Sequence, residues 1–166
     1  MYANNRVSGI SSFLARSPQA RAWIAGSPAQ PNVVGEARFY QTPLGVLVQI
    51  EASGLPTPRK RCESPVFALH IHEGGACRGN AEDAFADAGT HYNPYACPHP
   101  HHAGDLPPLF GANGRALLIT LTDRFTLREI IGKTIIIHSA PDDFTTQPAG
   151  NAGAKIVCGV ITATER

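Results

Sequence analysis

The sequence lacks several features that would assign it to other classes of protein. Its 166 residues carry a formal net charge of only +1, with 14 Lys and Arg against 13 Asp and Glu, so it has no basic surplus for binding nucleic acid. It has no apolar run of the roughly 18 residues that a membrane-spanning helix needs. None of its four cysteines forms a CxxC pair, which excludes the common zinc-ribbon spacings.

A secretory signal is also missing from the sequence as given. Arg6, Arg16 and Arg21 interrupt the first 30 residues, and residues 10–15 are too short and too polar a run for the apolar part of a signal peptide. This pattern favours the cytoplasm over export. The even number of cysteines points the other way, because disulfides are typical of oxidising compartments. The compartment stays open.

Glycine and proline are abundant, and helical periodicity is scarce. The 16 glycines and 14 prolines suit a chain of short strands and many turns. Alternating or β-branched runs predict strands at 20–25, 34–41, 46–51, 66–73, 106–110, 115–122, 133–138 and 154–162. Only residues 11–16 and 127–132 suggest helical turns. We therefore predict an all-β sandwich or barrel of about eight strands.

Histidine is distributed very unevenly. Six of the seven histidines fall within 33 residues: His70, His72, His91, His99, His101 and His102. In the predicted strand at 66–73, the apolar side chains Phe67, Leu69 and Ile71 share one face. Alternation then places His70 and His72 together on the opposite, outer face. Two imidazoles on one strand form a natural half of a metal site, although a polar outer face gives the same pattern.

A long turn-rich stretch from Cys77 to Gly114 carries the other clustered histidines. It contains HYNP at 91–94 and CPHPHHAGD at 97–105. Imidazoles with one carboxylate are a ligand set that zinc takes, and the prolines restrict the loop to fewer conformations. A solvated loop that binds metals without specificity is the alternative. His138, at the end of the predicted strand 133–138, can also project outward, but alone it is explained as an ordinary strand residue.

Five segments in this order resemble those of the copper–zinc superoxide dismutase family, over about residues 20–164. FALHIHEGG resembles the strand with two copper histidines, and GTHYNP resembles the segment with the histidine that bridges copper and zinc. HHAGDLPPL resembles the end of the zinc loop. IIGKTIIIHSAPDD resembles the strand with the last copper histidine and a nearby aspartate. GNAGAKIVCGVI resembles the C-terminal strand with an anion-guiding residue and a disulfide cysteine.

The resemblance implies a role for particular residues of this chain. The implied copper ligands are His70, His72, His91 and His138. The implied zinc ligands are His91, His102, Asp105 and a third histidine, for which we prefer His99 over His101 because its distance from His91 fits the family better. Asp142 would hydrogen-bond to ligand histidines of both sites, and Cys77 would form a disulfide with Cys158. His91 and Lys155 would be the catalytic residues, with Lys155 attracting the anionic substrate.

The implied fold is an eight-stranded Greek-key β-barrel with long metal-binding loops, formed by residues 20–166 after an N-terminal tail at 1–19. The implied activity is superoxide dismutation to dioxygen and hydrogen peroxide by copper redox cycling, with copper and zinc as cofactors. The partner is the small anion superoxide, with no nucleic acid and no membrane span. A homodimer is an open expectation.

Four departures from the family pattern bear on function. The metal loop is rearranged, with extra residues between Cys77 and His91 and fewer between His91 and His102. Lys155 stands where the family usually has arginine, which keeps the charge but loses the planar two-donor fork. The short segment 144–150 replaces a longer anion-steering loop and carries no charge. Cys62 and Cys97 have no family counterparts, so a second bridge, free thiols and a stray zinc ligand all stay open.

Two other functions compete with the dismutase. A non-catalytic copper- and zinc-binding module of the same fold is favoured by the missing arginine and the short segment 144–150. A mononuclear zinc hydrolase would use three ligands and Glu73 as the general base, but the chain has too many candidate ligands for one open zinc. If Lys155 guides the substrate, the reaction rate is expected to fall as ionic strength rises.

Overall fold

The computed structural model describes residues 11–57, 60, 63 and 65–165, and most of its regular structure is β-strand. The strands are β1 (Ala20–Gly26), β2 (Val34–Thr42), β3 (Gly45–Ser53), β4 (Val66–His72), β5 (Asp105–Phe110), β6 (Arg115–Thr122), β7 (Thr134–His138), β8 (Lys155–Val160) and β9 (Thr162–Ala163). Helices α1 (Ser11–Leu14) and α2 (Leu127–Ile130) are single turns, as is a 3-10 turn at Ala86–Ala88. All eight predicted strands are confirmed, with ends that differ by one or two residues at most.

The strands form one antiparallel sheet that curls almost into a closed barrel. Their order is β5-β4-β7-β8-β1-β2-β3-β6, with β9 beside β1. The two end strands, β5 and β6, also approach each other, which brings the edges of the sheet together. Neighbours such as β8 and β1 are distant in the sequence, as in Greek-key folds. Neither helix in the described ranges is long and apolar enough to cross a membrane.

One face of the barrel strands packs in the barrel interior. Leu69 and Ile71 of β4 pack inside with Ile135 and Ile137 of β7, as the alternation predicts. The histidines lie on the opposite face of these strands, outside the barrel core, as predicted, but that face is not exposed to solvent. His70, His72 and His138 are only 0%, 2% and 4% exposed, because the loops that follow β4 and β7 fold back over that face.

A small second core fastens the loop after β4 to the sheet. Phe85 and Ala88 of this loop pack on Ile136 and Cys158, and Cys158 forms the predicted disulfide with Cys77. The bridge joins residues 81 positions apart, so it ties the loop to β8. Within the described residues Cys97 is a free cysteine, and Cys62 lies outside them.

β1 begins at Ala20, and residues 1–10 lie outside the described ranges. The division into a tail at 1–19 and a domain at 20–166 therefore stays a prediction.

Candidate metal centre

Two groups of buried side chains meet at His91. The first comprises His70, His72, His91 and His138, and the second comprises His91, His99, His102 and Asp105. Within each group, one nitrogen or oxygen atom of every side chain lies within 4.8 Å of the others. The structure thus brings together both ligand sets that the sequence predicted. It includes His99, whereas His101 is exposed.

Sheet pairing positions most of these side chains. His70 and His72 extend from β4, and β7 pairs beside it and ends at His138. On the other side of β4, β5 begins at Asp105, which is the direct partner of His70. His91 forms an isolated bridge with His72, which brings the long loop back to the sheet. The rigid barrel therefore fixes the centre from three adjacent strands, while His99 and His102 come from the loop.

Hydrogen bonds leave one nitrogen free on each imidazole of the first group. The Nδ1 atoms of His72 and His138 lie 2.9 Å from the Gly89 carbonyl and 3.2 Å from the Gly153 carbonyl. A carbonyl only accepts, so each Nδ1 carries the proton and each Nε2 has a lone pair. These two Nε2 atoms are 3.2 Å apart. Two lone pairs converging in this way suit a shared cation.

His70 and His91 present the strongest sign that a metal belongs between them. His70 Nδ1 and His91 Nε2 are buried and have no hydrogen-bond partner. Leaving a buried polar atom unpaired costs about 1–3 kcal/mol, so proteins rarely tolerate it without a reason. Four imidazoles form a donor set that copper accepts in both of its common oxidation states. The residues fit copper.

The second group surrounds the Asp105 carboxylate. Oδ1 of Asp105 lies 2.9 Å from His91 Nδ1 and 3.3 Å from His102 Nδ1, and Oδ2 lies 3.1 Å from His99 Nδ1. The His102 backbone N–H donates to Oδ2 at 3.0 Å, which holds the carboxylate in place. Three imidazole nitrogens and one carboxylate are a tetrahedral zinc set. The residues fit zinc.

Asp142 connects the two groups. Its Oδ2 lies 2.8 Å from His70 Nε2 and its Oδ1 lies 2.9 Å from His99 Nε2, so each imidazole donates to it and keeps its Nδ1 free. Gly150 makes room for this link, since a Cβ there would lie 2.0 Å from Asp142 Oδ1. Its φ of +64° is also a conformation that side chains disfavour.

Burial keeps three of the copper-side imidazoles neutral, those of His70, His72 and His138. Desolvation lowers the pKa of His72 to about 3 and that of His138 to about 4, in each case against a backbone hydrogen bond that raises it. Desolvation also lowers the pKa of His70 far below its ordinary value. For Asp105, burial raises the pKa, but the hydrogen bond with His91 and the neighbouring imidazoles outweigh burial and lower it. At neutral pH His70, His72 and His138 are therefore neutral imidazoles, and Asp105 is a carboxylate.

A cavity of 730 Å³ gives access to the first group. His72, His91 and His138 line it, together with Lys155. The sequence placed Lys155 beside the copper group, and the structure brings it there. Its Nζ also donates to Asp83 Oδ2 at 2.6 Å and to the Phe85 carbonyl at 3.2 Å. Sequence reasoning did not foresee this carboxylate beside the lysine.

Two residues that support the loop were also missed. Gln147 binds the backbone of His99 twice, because its Nε2 donates to the carbonyl at 2.7 Å and its Oε1 accepts from the N–H at 2.9 Å. Arg124 donates to the carbonyls of Pro100 at 3.0 Å and His102 at 3.3 Å. Both act on backbone atoms, so no motif in the sequence marks them.

Comparison with known proteins agrees with this centre. A family model described as copper/zinc superoxide dismutase matches residues 33–161. The chain belongs to the copper/zinc superoxide dismutase family. Among curated relatives, Cu-Zn superoxide dismutase 2 of Aquifex aeolicus is 33% identical over 92% of this chain and 91% of its own length. The Cu-Zn superoxide dismutase of Deinococcus radiodurans is 35% identical over 80% of this chain and 79% of its own length.

The fold is shared as well. A solved structure of Cu/Zn superoxide dismutase from Brucella abortus superposes with a TM-score of 0.71 at 22% identity, covering 85% of this chain and 98% of that one. Membership of the copper/zinc superoxide dismutase family confirms the predicted barrel, the oxidoreductase class, and copper and zinc as the cofactors.

Proposed function

We propose that this chain carries out the reaction of its family, the conversion of two superoxide anions and two protons into dioxygen and hydrogen peroxide, at the two groups that share His91. His70, His72, His91 and His138 would hold copper, and His91, His99, His102 and Asp105 would hold zinc. The observation that carries the proposal is the orientation of His91. Its Nδ1 faces Asp105 at 2.9 Å, and its buried Nε2 belongs to the copper group without a hydrogen-bond partner.

When bound, copper supplies a reversible one-electron change that takes an electron from one superoxide and gives it to the next, while zinc supplies fixed positive charge. The protein controls protons and orientation. His91 Nε2 is the atom that can hold a proton at the cavity side and deliver it towards peroxide. Asp142 keeps His70 and His99 turned so that their Nδ1 atoms face the two groups, as carboxylates hydrogen-bonded to ligand histidines commonly do.

The open cavity favours catalysis over a non-catalytic metal-binding module. His72, His91 and His138 all line the 730 Å³ space, so a small anion can reach the copper group. The alternative of a mononuclear zinc hydrolase has no comparable structural support. Glu73 accepts a hydrogen bond from Thr90 Oγ1 at 3.0 Å, is exposed, and lies in neither group of ligands.

The function is tested by metal content, visible absorption and dismutase activity of the wild type and the His138→Ala variant after loading with copper and zinc. We expect the wild type to bind one copper and one zinc and to dismutate superoxide. His138→Ala should lose the wild-type cupric absorption and the activity while keeping zinc. An unchanged cupric spectrum in the variant would remove His138 from the site. A fully loaded wild type without activity would refute the dismutase function.

The zinc assignment has a matched pair of variants in neighbouring histidines. We expect His99→Gln to weaken zinc binding strongly, measured by competition with a chelator, because it removes a buried nitrogen beside Asp105. His101→Gln should bind zinc like the wild type, because His101 is exposed and lies outside both groups. The opposite ranking of the two variants would assign zinc to His101.

A further inference from the structure

An ion pair lies in the wall of the cavity that leads to the copper group. Lys155 Nζ and Asp83 Oδ2 are 2.6 Å apart, and both residues line the cavity. The Lys155 side chain is 15% exposed and that of Asp83 is 38% exposed, so the carboxylate is the more open member. Asp83 belongs to the extra residues between Cys77 and His91, where the sequence departs from its family.

The carboxylate is held firmly in this place. Asp83 Oδ1 accepts from the Phe85 N–H at 3.0 Å while Oδ2 accepts from Lys155. The Asp83 N–H donates to Asn80 Oδ1 at 2.9 Å, and the Asn80 N–H donates to the Asp83 carbonyl at 2.9 Å. Gly79 permits this tight turn, since a Cβ there would lie 2.0 Å from the Asp83 carbonyl oxygen. The loop is therefore folded so that it presents Asp83 to Lys155.

Both charges act on the copper side of the centre. Lys155 pairs directly with His138 across β7 and β8. Burial is the main cause of the low pKa of His72 and His138, and the positive charge of Lys155 adds to it. For Asp83, burial raises the pKa, but the hydrogen bonds from Lys155 and the Phe85 N–H outweigh burial and leave it below its ordinary value. Asp83 is therefore a carboxylate at neutral pH.

Lys155 has little free capacity to bind an anion. An ammonium group has three N–H donors, and Asp83 and the Phe85 carbonyl occupy two of them. The pair has no net charge, and Glu82 adds a further acidic side chain to the cavity lining.

We propose that Asp83 determines the affinity of the copper-side cavity for anions by cancelling the charge of Lys155. This inference rests on the proposed function, because it concerns anions that approach the copper group. Asp83 acts through Lys155, and within the described residues no hydrogen bond or ion pair joins its side chain to a ligand side chain, so it is a positioning residue. In consequence, Lys155 attracts anions less than its position suggests, and anion binding responds only weakly to salt.

The test is a spectrophotometric titration of the copper- and zinc-loaded protein with azide, a small anionic probe, at about 10 mM ionic strength, where screening is weak. We expect Asp83→Asn to lower the azide Kd about threefold, because it removes a negative charge near the anion and keeps the hydrogen-bonding shape. Lys155→Met should raise the Kd. The double variant should return close to the wild-type value, since both charges are gone.

Asp87→Asn is the matched control. Asp87 lies on the same loop, is half-exposed, pairs with Arg78 at 3.6 Å, and does not line the cavity. It should leave the azide Kd unchanged. A second measurement is the salt dependence of azide binding. The azide Kd of the wild type should change little between about 10 and 200 mM salt, whereas that of Asp83→Asn should rise.

An Asp83→Asn Kd equal to or above that of the wild type, with both metals bound, would overturn the inference and leave Asp83 a loop anchor. A steep salt dependence in the wild type would overturn it as well. Azide binding does not depend on turnover, so a protein that shows the expected Kd values without dismutating superoxide refutes the function alone. A wild type that takes up no copper refutes both.

Discussion

The metal-free protein is expected to lose stability as the pH falls from 7 towards 4. The folded protein holds the pKa of His72 at about 3 and that of His138 at about 4, whereas the unfolded chain has the ordinary value near 6.5. Between these values the unfolded chain binds more protons than the folded one. The free energy of unfolding therefore decreases as pH falls through this window.

The size of the effect follows from the two pKa differences. At pH 5 both histidines are almost fully protonated in the unfolded chain and almost fully neutral in the folded one. Each then contributes a loss on the order of 2 kcal/mol relative to pH 8, or about 4 kcal/mol together, and His70, whose pKa burial also lowers, adds to this loss. Domains of this size commonly have only about 5–15 kcal/mol of total stability, so the loss is a large share.

The assay is urea denaturation of chelator-treated, disulfide-intact protein at pH 8 and pH 5, followed by far-ultraviolet circular dichroism. His138→Gln removes one of the titrating groups and serves as the matched variant. Its loss of stability between the two pH values should be smaller than that of the wild type by about 2 kcal/mol. Equal midpoints and slopes for the wild type at both pH values would show that the histidines titrate normally in the folded protein, and would refute the reasoning.

Two further changes test how the metal loop is held. Replacing Cys77 and Cys158 together by Ser should lower the free energy of unfolding, measured by urea denaturation, by about 4.5 kcal/mol. This is the chain-entropy value for a loop of this length. Reduction of the disulfide in the wild type should have the same effect. Gln147→Ala should lower zinc affinity in chelator competition and lower stability by about 1–2 kcal/mol, because it removes two hydrogen bonds to the His99 backbone. Unchanged stability in the first variant, or unchanged zinc affinity in the second, would contradict these roles.

The sequence predicted the barrel and the side chains that meet at the candidate metal centre, because both depend on local patterns. Alternation is a property of each strand on its own, so the inward position of Leu69 and Ile71 could be inferred without knowing their neighbours. The segments around His70 and His138 are also contiguous, and their resemblance to a family needed no three-dimensional information.

The features that the sequence could not predict depend on loops that contact residues distant in the sequence. The face of β4 that bears His70 and His72 is polar in pattern, and only the folded loops show that it is buried. Asp83 and Lys155 are 72 positions apart, and their contact depends on how the extra residues after Cys77 fold. Gln147 and Arg124 bind backbone atoms, which every residue has. No particular partner side chain is therefore needed, and the sequence does not mark these contacts.

Burial of the histidines leads both to the acid sensitivity expected of the metal-free protein and to imidazoles that are ready to bind metals. A depressed pKa means that protons do not compete with a metal for the imidazoles at neutral pH. Hydrogen bonds also fix which ring nitrogen of His72, His138 and His70 faces the metal centre, because the other nitrogen binds the carbonyl of Gly89, the carbonyl of Gly153 or the carboxylate of Asp142. His70 Nδ1 and His91 Nε2 are left buried without partners, which destabilises the empty fold. A bound metal removes that cost, so metal binding adds directly to the free energy of unfolding.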